Sequence, residues 1–340
     1  MAKRILIIEV NWVGDVLFTT PAIRAIREHD KDAFIGCLVV PRCVEMLEKN
    51  PNIDELIVYD EEGARKGIFG QISFIFELRK KRFDTAISFH RSMSRMLIAA
   101  LAGAKRRIGY YTNKRFWLLT DCIKQPDEQP HRVEYFLNIV RAIGIDTKNK
   151  DYDFYIPADS VKNADRILSQ ARIADGEEFF VINPGGNWSA KRWPKERYAK
   201  LCNELKARYG KKIVITGAEK DMPLAEDIIR MSANCAVSIC GKTTLKELGA
   251  VMRRASIVIS NDSGPMHIAV SQKSPTVAIF GPTSPKITGP YGDADYIVLH
   301  KWYDCQTPCY AVCSDYRCME AVSVEDVLNA VGKLRERFRV

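Results

Sequence analysis

The chain opens with a short, nearly uninterrupted apolar run, Arg4-Ile5-Leu6-Ile7-Ile8-Glu9-Val10, followed directly by the turn Asn11-Trp12-Val13-Gly14-Asp15. A run of this length predicts a strand that is buried on both faces of a parallel sheet. Apolar residues then recur at helical spacing from Val16 to Ile26. The sequence therefore begins with the strand, turn and helix of a βαβ unit.

The same alternation continues and then restarts in the second half. Further strands are predicted at Phe34–Val40, Glu55–Tyr59, Thr85–Phe89, Phe179–Ile182, Lys212–Thr216, Ile257–Ser260 and Thr276–Phe280. A polar stretch around Asp146–Asp159 separates the two series. We expect an α/β protein with two Rossmann-like doubly wound domains, over residues 1–155 and 156–322, and a cleft between them. The apolar periodicity of residues 323–340 predicts a C-terminal helix that packs back on the first domain.

The composition excludes a disordered, fibrous or membrane-spanning chain. Of 340 residues, 46% are hydrophobic and 27% are charged, which is enough for a sizeable core. The longest apolar run, around Met96–Ala104, is shorter than the ~20 residues that span a bilayer. The initial apolar run is too short for a signal peptide. The sequence therefore predicts a soluble, cytoplasmic protein.

The charge favours anionic partners. Lys and Arg number 51 against 42 Asp and Glu, which gives a formal net charge of +9. This excess suits nucleic acid, acidic lipid or a phosphorylated substrate equally well. Zinc-finger, basic-zipper and aromatic RNA-binding signatures are absent, so we expect no nucleic-acid partner.

The ten cysteines form two groups. Six are scattered in apolar surroundings, which is typical of reduced, packed thiols. The other four are Cys305, Cys309, Cys313 and Cys318. Their spacing matches neither a zinc ribbon nor a ferredoxin run. A metal or cluster site and a local disulfide stay open, but packed thiols are favoured, so we expect no metal and no cofactor.

The first turn carries a carboxylate where a ligand site is expected. G-x-G-x-x-G is absent there, so the dinucleotide fingerprint is missing. Asp15 instead follows the predicted carboxyl end of the first strand. It has two interpretations: a helix N-cap that complements the helix dipole, or a functional carboxylate that faces the cleft.

The second half has three glycine-containing turns after predicted strands. The first is Asn183-Pro184-Gly185-Gly186-Asn187, which leads into Ser189-Ala190-Lys191-Arg192-Trp193-Pro194. Backbone N–H groups and two cations in such a turn suit a phosphate or diphosphate. In the second turn, Asp262, Ser263 and Gly264 predict another anion nest, with His267 one turn into the helix. Phe280-Gly281-Pro282-Thr283 is the third.

Other chemical motifs are absent or weak. The chain has no H-E-x-x-H, G-x-S-x-G or Walker A motif. The pairs Asp151/Asp153 and Asp293/Asp295 are interpreted as solvated charge.

Taken in order, these turns resemble the ADP-heptose:lipopolysaccharide heptosyltransferases, inverting glycosyltransferases of family 9 with the GT-B fold. The motifs that carry the resemblance are Asn11–Asp15 with Thr19-Thr20-Pro21-Ala22, Ala190–Pro194, Asn261–His267 and Phe280–Thr283. The resemblance covers residue 4 to about residue 320. The cysteine cluster followed by Met319 is similar to the heptosyltransferase II branch.

The resemblance implies two domains that face a central cleft and bind different substrates. The first binds the acceptor, and Asp15 matches the catalytic base. The second binds the nucleotide sugar: Lys191 matches the lysine that contacts the donor diphosphate. Asp262, Ser263, Gly264 and His267 match the turn that holds this diphosphate. Ser189 substitutes for the hydroxyl residues that relatives carry ahead of the lysine.

The implied reaction is a metal-independent, single-displacement transfer from ADP-heptose to the inner core of lipopolysaccharide, a lipid-linked anionic acceptor. The enzyme would be peripheral on the inner face of the inner membrane. Candidate acceptor contacts are Arg91, Arg95, Arg106 and Arg107, with a solvated basic helix face as the alternative. Two other functions stay open: a transferase of the same fold with another nucleotide sugar or polymer acceptor, and a non-catalytic nucleotide-binding protein. The sequence does not give the oligomeric state.

Overall fold

The computed structural model describes residues 3–301, 313, 315 and 317–337. The chain divides into two compact units, Met1–Tyr155 and Ile156–Val340. In the described part of the chain, each unit contains one parallel sheet of six strands. Every helix in that part is too short or too polar to cross a membrane.

The first unit alternates strands and helices as the sequence predicts. Its strands are β1 (Arg4–Ile8), β2 (Phe34–Val39), β3 (Glu55–Val58), β4 (Thr85–Ser88), β5 (Arg106–Tyr110) and β6 (Asp121–Ile123). Its helices are α1 (Val13–His29), α2 (Val44–Leu47), α3 (Gly67–Lys80), α4 (Met93–Leu101) and α5 (Arg132–Arg141), with 3-10 turns at Pro41–Cys43 and Phe116–Leu118. The strand order is β3-β2-β1-β4-β5-β6.

The second unit repeats this topology. Its strands are β7 (Phe179–Asn183), β8 (Lys212–Ile215), β9 (Val237–Ser238), β10 (Ile257–Asn261), β11 (Thr276–Phe280) and β12 (Tyr296–His300). Its helices are α6 (Ala158–Gln170), α7 (Lys195–Tyr209), α8 (Met222–Met231), α9 (Leu245–Arg254), α10 (Gly264–Ser271), α11 (Pro285–Thr288), α12 (Arg317–Glu320) and α13 (Val324–Arg337), with 3-10 turns at Ser189–Lys191 and Glu219–Asp221. The order β12-β11-β10-β7-β8-β9 equals that of the first unit when it is read from β9.

Local sequence explains where these elements lie. The central strands β1, β7 and β10 are almost wholly buried, as expected for parallel strands covered on both faces. A capping box begins α9, since the Thr244 hydroxyl accepts from the Glu247 amide and the Glu247 carboxylate accepts from the Thr244 amide. Gly210 ends α7 at φ +66°, a left-handed conformation that glycine adopts without strain. The predicted α/β class of two doubly wound domains is confirmed.

The C-terminal helix contributes to the core of the second unit. The buried residues of α13 are Val327, Leu328, Ala330, Val331 and Leu334, and they belong to the core of the second unit. The helix packs against α7, β11 and β12. It completes the core of its own unit, and packing of this helix on the first domain stays a prediction.

A buried ion pair corrects the interpretation of Asp153 as solvated charge. Asp153 is not solvated: its side chain is one-tenth exposed and forms an ion pair with Arg24 of α1. Arg24 also donates to the carbonyl oxygens of Asn149 and Asp151, at 2.9 and 2.8 Å. The Asp153 amide donates to the Thr20 hydroxyl at 2.9 Å. The segment 149–153, at the end of the first unit, is therefore held against α1 by an ion pair and hydrogen bonds.

A buried carboxyl group joins β1 to α1. Glu9 is fully buried, and its Oε1 lies 2.8 Å from the Thr19 hydroxyl of α1. That hydroxyl also donates to the Val16 carbonyl at 2.7 Å. The Thr19 hydroxyl therefore shares its single proton between two acceptors, the Glu9 carboxyl group and the Val16 carbonyl. Burial raises the pKa of Glu9 to about 8, and the nearby charge of Asp15 adds to the rise.

The substitution Glu9→Gln is expected to remove a pH dependence of stability. The pKa of Glu9 rises from an ordinary value of 4.5 to about 8 on folding, so the folded state binds more protons between these values. The free energy of unfolding therefore falls as pH rises, by up to ~1.4 kcal/mol per pH unit. Gln keeps the shape and donates to Thr19 without a charge.

Urea unfolding of both proteins from pH 5 to pH 9 measures this effect. The stability gained by the variant should grow with pH and level off above the pKa of Glu9 near 8. A difference that does not change with pH would mean that Glu9 is ionised in the fold.

Candidate functional site

The first unit has a topological switch point between β1 and β4, where the strand order reverses direction. Ligands of open α/β sheets bind outside the carboxyl ends of the strands at such a point. The chain segments that leave these two strands there are Glu9–Asp15 and Phe89–Ser92. They contain the predicted catalytic carboxylate and a histidine that the sequence analysis did not consider.

Asp15 lies in the first turn of α1 and is half-buried. The helix begins at Val13, and Trp12 is its N-cap residue. The interpretation of Asp15 as the N-cap is therefore wrong. Its carboxylate instead occupies the first turn, where the positive end of the helix dipole stabilises a negative charge.

Two arginines donate hydrogen bonds to the loop that leads to Asp15. Arg95 of α4 is 2% exposed, and its Nη1 donates to Asn11 Oδ1 at 2.6 Å and to the Glu9 carbonyl at 3.3 Å. Its Nη2 donates to Glu61 at 3.0 Å. Arg42 donates to the Asn11 carbonyl at 2.7 Å and lies over the Trp12 ring. Asp15 thus follows a loop whose polar atoms are held by buried and stacked cations.

His90 follows β4 and stays neutral at physiological pH. Burial lowers the pKa of His90 to about 4, and the charges of Arg95 and Arg115 lower it further. Its Nδ1 accepts from the Ser92 amide at 2.9 Å, so the ring proton resides on Nε2. A neutral imidazole can donate one hydrogen bond to a sugar oxygen. The only sequence signal for His90 was its position directly after a predicted strand.

The structure separates the four arginines predicted to contact the acceptor. Arg91 is exposed in the loop after β4. Arg95 is buried, as described above. Arg106 and Arg107 begin β5, roughly 13 Å along the strand from its carboxyl end. Arg106 pairs with Asp121, and Arg107 donates to the carbonyl oxygens of nearby loops. Of these four candidate contacts, Arg91 alone is exposed at the carboxyl edge of the sheet, and their role in acceptor binding stays a prediction.

The second unit has the equivalent switch point between β7 and β10. Asn261, at the end of β10, is fully buried. Its Nδ2 donates to the Pro184 carbonyl at 2.8 Å, in the loop after β7. Its Oδ1 accepts from the Trp193 amide at 3.2 Å and from the Tyr198 hydroxyl at 2.8 Å. One amide side chain thereby ties the first glycine turn to the segment that carries Lys191.

Two predicted donor-binding motifs and the third glycine-containing turn meet at one carboxylate oxygen. Lys191 Nζ and the Thr283 hydroxyl both donate to Asp262 Oδ2, each at 2.6 Å. The Asp262 side chain is 6% exposed and that of Lys191 is 20% exposed. Lys191 Nζ also lies 5.0 Å from the centre of the Trp188 ring. Asp262 therefore orients the ammonium group, and Lys191 keeps part of its surface open to a ligand.

The N-terminus of α10 adds a second anion-binding feature. Ser263 is the N-cap residue in extended conformation, and the helix begins at Gly264. The first N–H groups of a helix lack intrahelical acceptors and favour an anion. His267 is the fourth residue of this helix and is 3% exposed. Ser189 is exposed at the start of the 3-10 turn that ends at Lys191.

The cysteine cluster is only partly described. Cys305 and Cys309 lie outside the described residues. Cys313 is buried and donates to the Asp315 carbonyl at 3.0 Å, and Cys318 packs against the core of the second unit. The residues that the structure describes contain no group of three His, Cys, Asp or Glu side chains that could hold a metal ion.

Known proteins resemble this chain over nearly its whole length. The model of glycosyltransferase family 9 (heptosyltransferase) matches residues 72–315. Lipopolysaccharide heptosyltransferase 2 of Salmonella typhimurium is 28% identical over 298 residues, which cover 84% of this chain and 85% of that protein. The crystal structure of a family 9 glycosyl transferase from Veillonella parvula gives a TM-score of 0.89 at 28% identity, over 98% of this chain and 97% of that one.

A second solved structure shares the fold at lower identity. ADP-heptose LPS heptosyltransferase II of Escherichia coli gives a TM-score of 0.80 at 22% identity, over 99% of this chain and 100% of that one. The predicted GT-B fold is confirmed, and so is the prediction that the protein is a transferase. The chain belongs to glycosyltransferase family 9, the heptosyltransferase family.

Proposed function

We propose that this protein transfers a heptose from ADP-heptose to the inner core of lipopolysaccharide, with inversion at the anomeric carbon. Family membership supports heptose transfer, and the names of the relatives supply the acceptor and the nucleotide. The observation that carries the proposal is the position of Asp15. It is a half-buried carboxylate in the first turn after β1, at the switch point of the sheet.

Asp15 acts as the general base in the proposed step. Its carboxylate takes the proton of an acceptor hydroxyl while the hydroxyl oxygen forms a bond to the anomeric carbon. The bond from that carbon to the diphosphate breaks, and its electron pair leaves with the ADP. On the acceptor side, neutral His90 offers its Nε2 proton to a sugar oxygen, and exposed Arg91 offers a charge to an anionic group.

The donor diphosphate binds in the second unit. Lys191 meets the diphosphate while its ammonium also donates to Asp262, since an ammonium has three N–H donors, and the Thr283 hydroxyl donates to the same Asp262 oxygen. The N–H groups at Ser263 and Gly264 supply further donors, with His267 in the same turn and Ser189 beside Lys191. These fixed charges stabilise the leaving group as its negative charge develops. We therefore expect transfer without an added divalent cation.

The acceptor determines where the enzyme works. The inner core is anionic and linked to lipid A, so we place the reaction at the cytoplasmic leaflet of the inner membrane. The formal net charge of +9 favours approach to such a surface.

The substitution Asp15→Asn should abolish most turnover but keep the donor site. Removing a general base typically lowers the rate by ~10²–10⁴-fold, while Asn preserves the shape of the side chain. Transfer would be followed by ADP release, and ADP affinity by calorimetry. The control is Asp32→Asn, an exposed carboxylate before β2. Turnover equal to wild type in the Asp15 variant would remove Asp15 from the base role.

The substitution Lys191→Ala should instead weaken ADP binding. Loss of a hydrogen bond from a charged group costs about 1.5–3 kcal/mol, equivalent to roughly 10- to 100-fold in affinity. The matched control is Lys195→Ala. Lys195 begins α7, and its ammonium pairs with Asp227 of α8. An ADP affinity that is unchanged by the Lys191 substitution would contradict the proposed diphosphate contact.

Calorimetric titration with ADP, UDP and GDP, without added metal, tests the donor assignment. We expect ADP to bind at least ~10-fold more tightly than the other two, a difference of about 1.4 kcal/mol. Preference for UDP or GDP would keep the fold and Asp15 but replace the proposed donor. Binding of none of the three would contradict the proposed donor site as a whole.

A further inference from the structure

Helix α3 of the first unit has two apolar faces, and only one of them is buried. Phe74 and Leu78 are 2% and 1% exposed and belong to the core of the unit. On the other side, Ile68, Phe69, Ile72 and Phe76 are 69%, 87%, 46% and 60% exposed. Core packing does not account for the second group.

The exposed group forms one continuous stripe. At about 100° of rotation per residue, the four side chains occupy a sector of about 100°, and they extend ~12 Å along the helix axis. Single exposed apolar residues are common on protein surfaces, but a contiguous apolar patch marks an interaction site. We call Ile68, Phe69, Ile72 and Phe76 the α3 stripe.

A second exposed apolar pair lies on a neighbouring element. Helix α3 packs against α4, and α4 packs against the 3-10 turn Phe116–Leu118. Phe116 and Trp117 of this turn are 50% and 60% exposed. The Trp117 indole N–H donates to the Lys114 carbonyl at 3.3 Å. Aromatic side chains with a polar end are typical of the lipid–water boundary.

Positive charge borders the α3 stripe at both ends. Lys66 precedes the helix, and Arg79 and Lys80 end it; all three are exposed. The one acidic residue of α3, Glu77, is paired with Arg65 at 2.6 Å. An apolar stripe flanked by Lys and Arg is typical of helices that lie in the headgroup region of anionic membranes.

The same charges argue against a second copy of the chain as the occupant. Two copies of the α3 stripe can pair side by side in parallel or antiparallel fashion. Because both ends are basic, either pairing brings like charges together. An anionic bilayer has the complementary charge and also accepts the apolar side chains.

We propose that the α3 stripe docks the enzyme on an anionic lipid bilayer. Ile68, Phe69, Ile72 and Phe76 insert at the boundary between headgroups and acyl chains, and Lys66, Arg79 and Lys80 contact the headgroup phosphates. Phe116 and Trp117 form a second contact. This inference rests on the proposed function for the lipid-linked acceptor, and it adds the surface through which the first unit reaches that lipid.

The test is co-sedimentation of the full chain with vesicles of phosphatidylcholine, with and without phosphatidylglycerol. The wild type should bind the phosphatidylglycerol vesicles more tightly. The double substitution Phe69→Ser, Phe76→Ser should weaken this binding by at least ~10-fold. The double substitution Arg79→Gln, Lys80→Gln should weaken binding to the anionic vesicles only, and added salt should have the same effect.

Two controls separate docking from folding. Met231→Ser replaces an exposed apolar residue on α8 of the second unit and should bind vesicles like the wild type. ADP affinity should be the same in all four proteins, because none of the substitutions touches the donor site. A Phe69, Phe76 variant that keeps ADP affinity and binds vesicles like the wild type would overturn the proposal.

The remaining outcomes are also informative. The wild type could instead self-associate without binding vesicles, while the Phe69, Phe76 variant is monomeric. That result would overturn the proposal and make the α3 stripe an interface between copies. Vesicle binding contains no transfer step, so it can succeed while transfer from ADP-heptose fails. That result would reject the proposed function and leave the docking surface standing.

Discussion

In both units, a buried side chain donates hydrogen bonds to the loop that follows the first strand of the sheet. This side chain comes from the end of the fourth strand of the unit or from the helix that follows it. Arg95 on α4 holds the Glu9 carbonyl and the Asn11 side chain, and Asn261 at the end of β10 holds the Pro184 carbonyl. The held loops lead to Asp15 and to Lys191. Without these hydrogen bonds the loops would adopt many conformations. A residue that binds or reacts has to be held in a defined position. The candidate site thus depends on hydrogen bonds across each switch point.

The surroundings of a carboxyl group differ between the two sites: one such group is buried and the other is paired with a cation. Near Asp15, burial raises the pKa of Glu9 to about 8, which favours the neutral form of this acid at physiological pH. Near the donor motifs, Asp262 is kept beside Lys191 and Thr283, which provide it with an ion pair and a hydrogen bond. A neutral buried acid does not compete with Asp15 for a proton in the proposed step. A paired carboxylate orients a cation and leaves part of the ammonium for a diphosphate.

The sequence predicts what depends on local pattern and misses what depends on distant partners. Apolar runs and glycine turns predicted the alternating strands and helices, and they grouped Lys191, Asp262 and Thr283 correctly in space. Asp153 was misassigned because its partner Arg24 lies 129 positions away. Strand β5 was not predicted, and this strand places Arg106 at the amino-terminal edge of the sheet. Glu9 and His90 owe their shifted pKa values to burial, which the helices around the sheet create.

The features assigned to the acceptor all lie in the first unit, and those assigned to the nucleotide all lie in the second. A lipid-linked sugar presents a polar head to be deprotonated and an apolar anchor that stays in the bilayer. The first unit offers a match for each part: Asp15 and His90 at the carboxyl edge of the sheet, and the α3 stripe on a separate, basic-flanked surface. A soluble nucleotide sugar needs no membrane surface. Lys191 and the N-terminus of α10 accordingly supply fixed positive charge, which is the feature that a diphosphate requires.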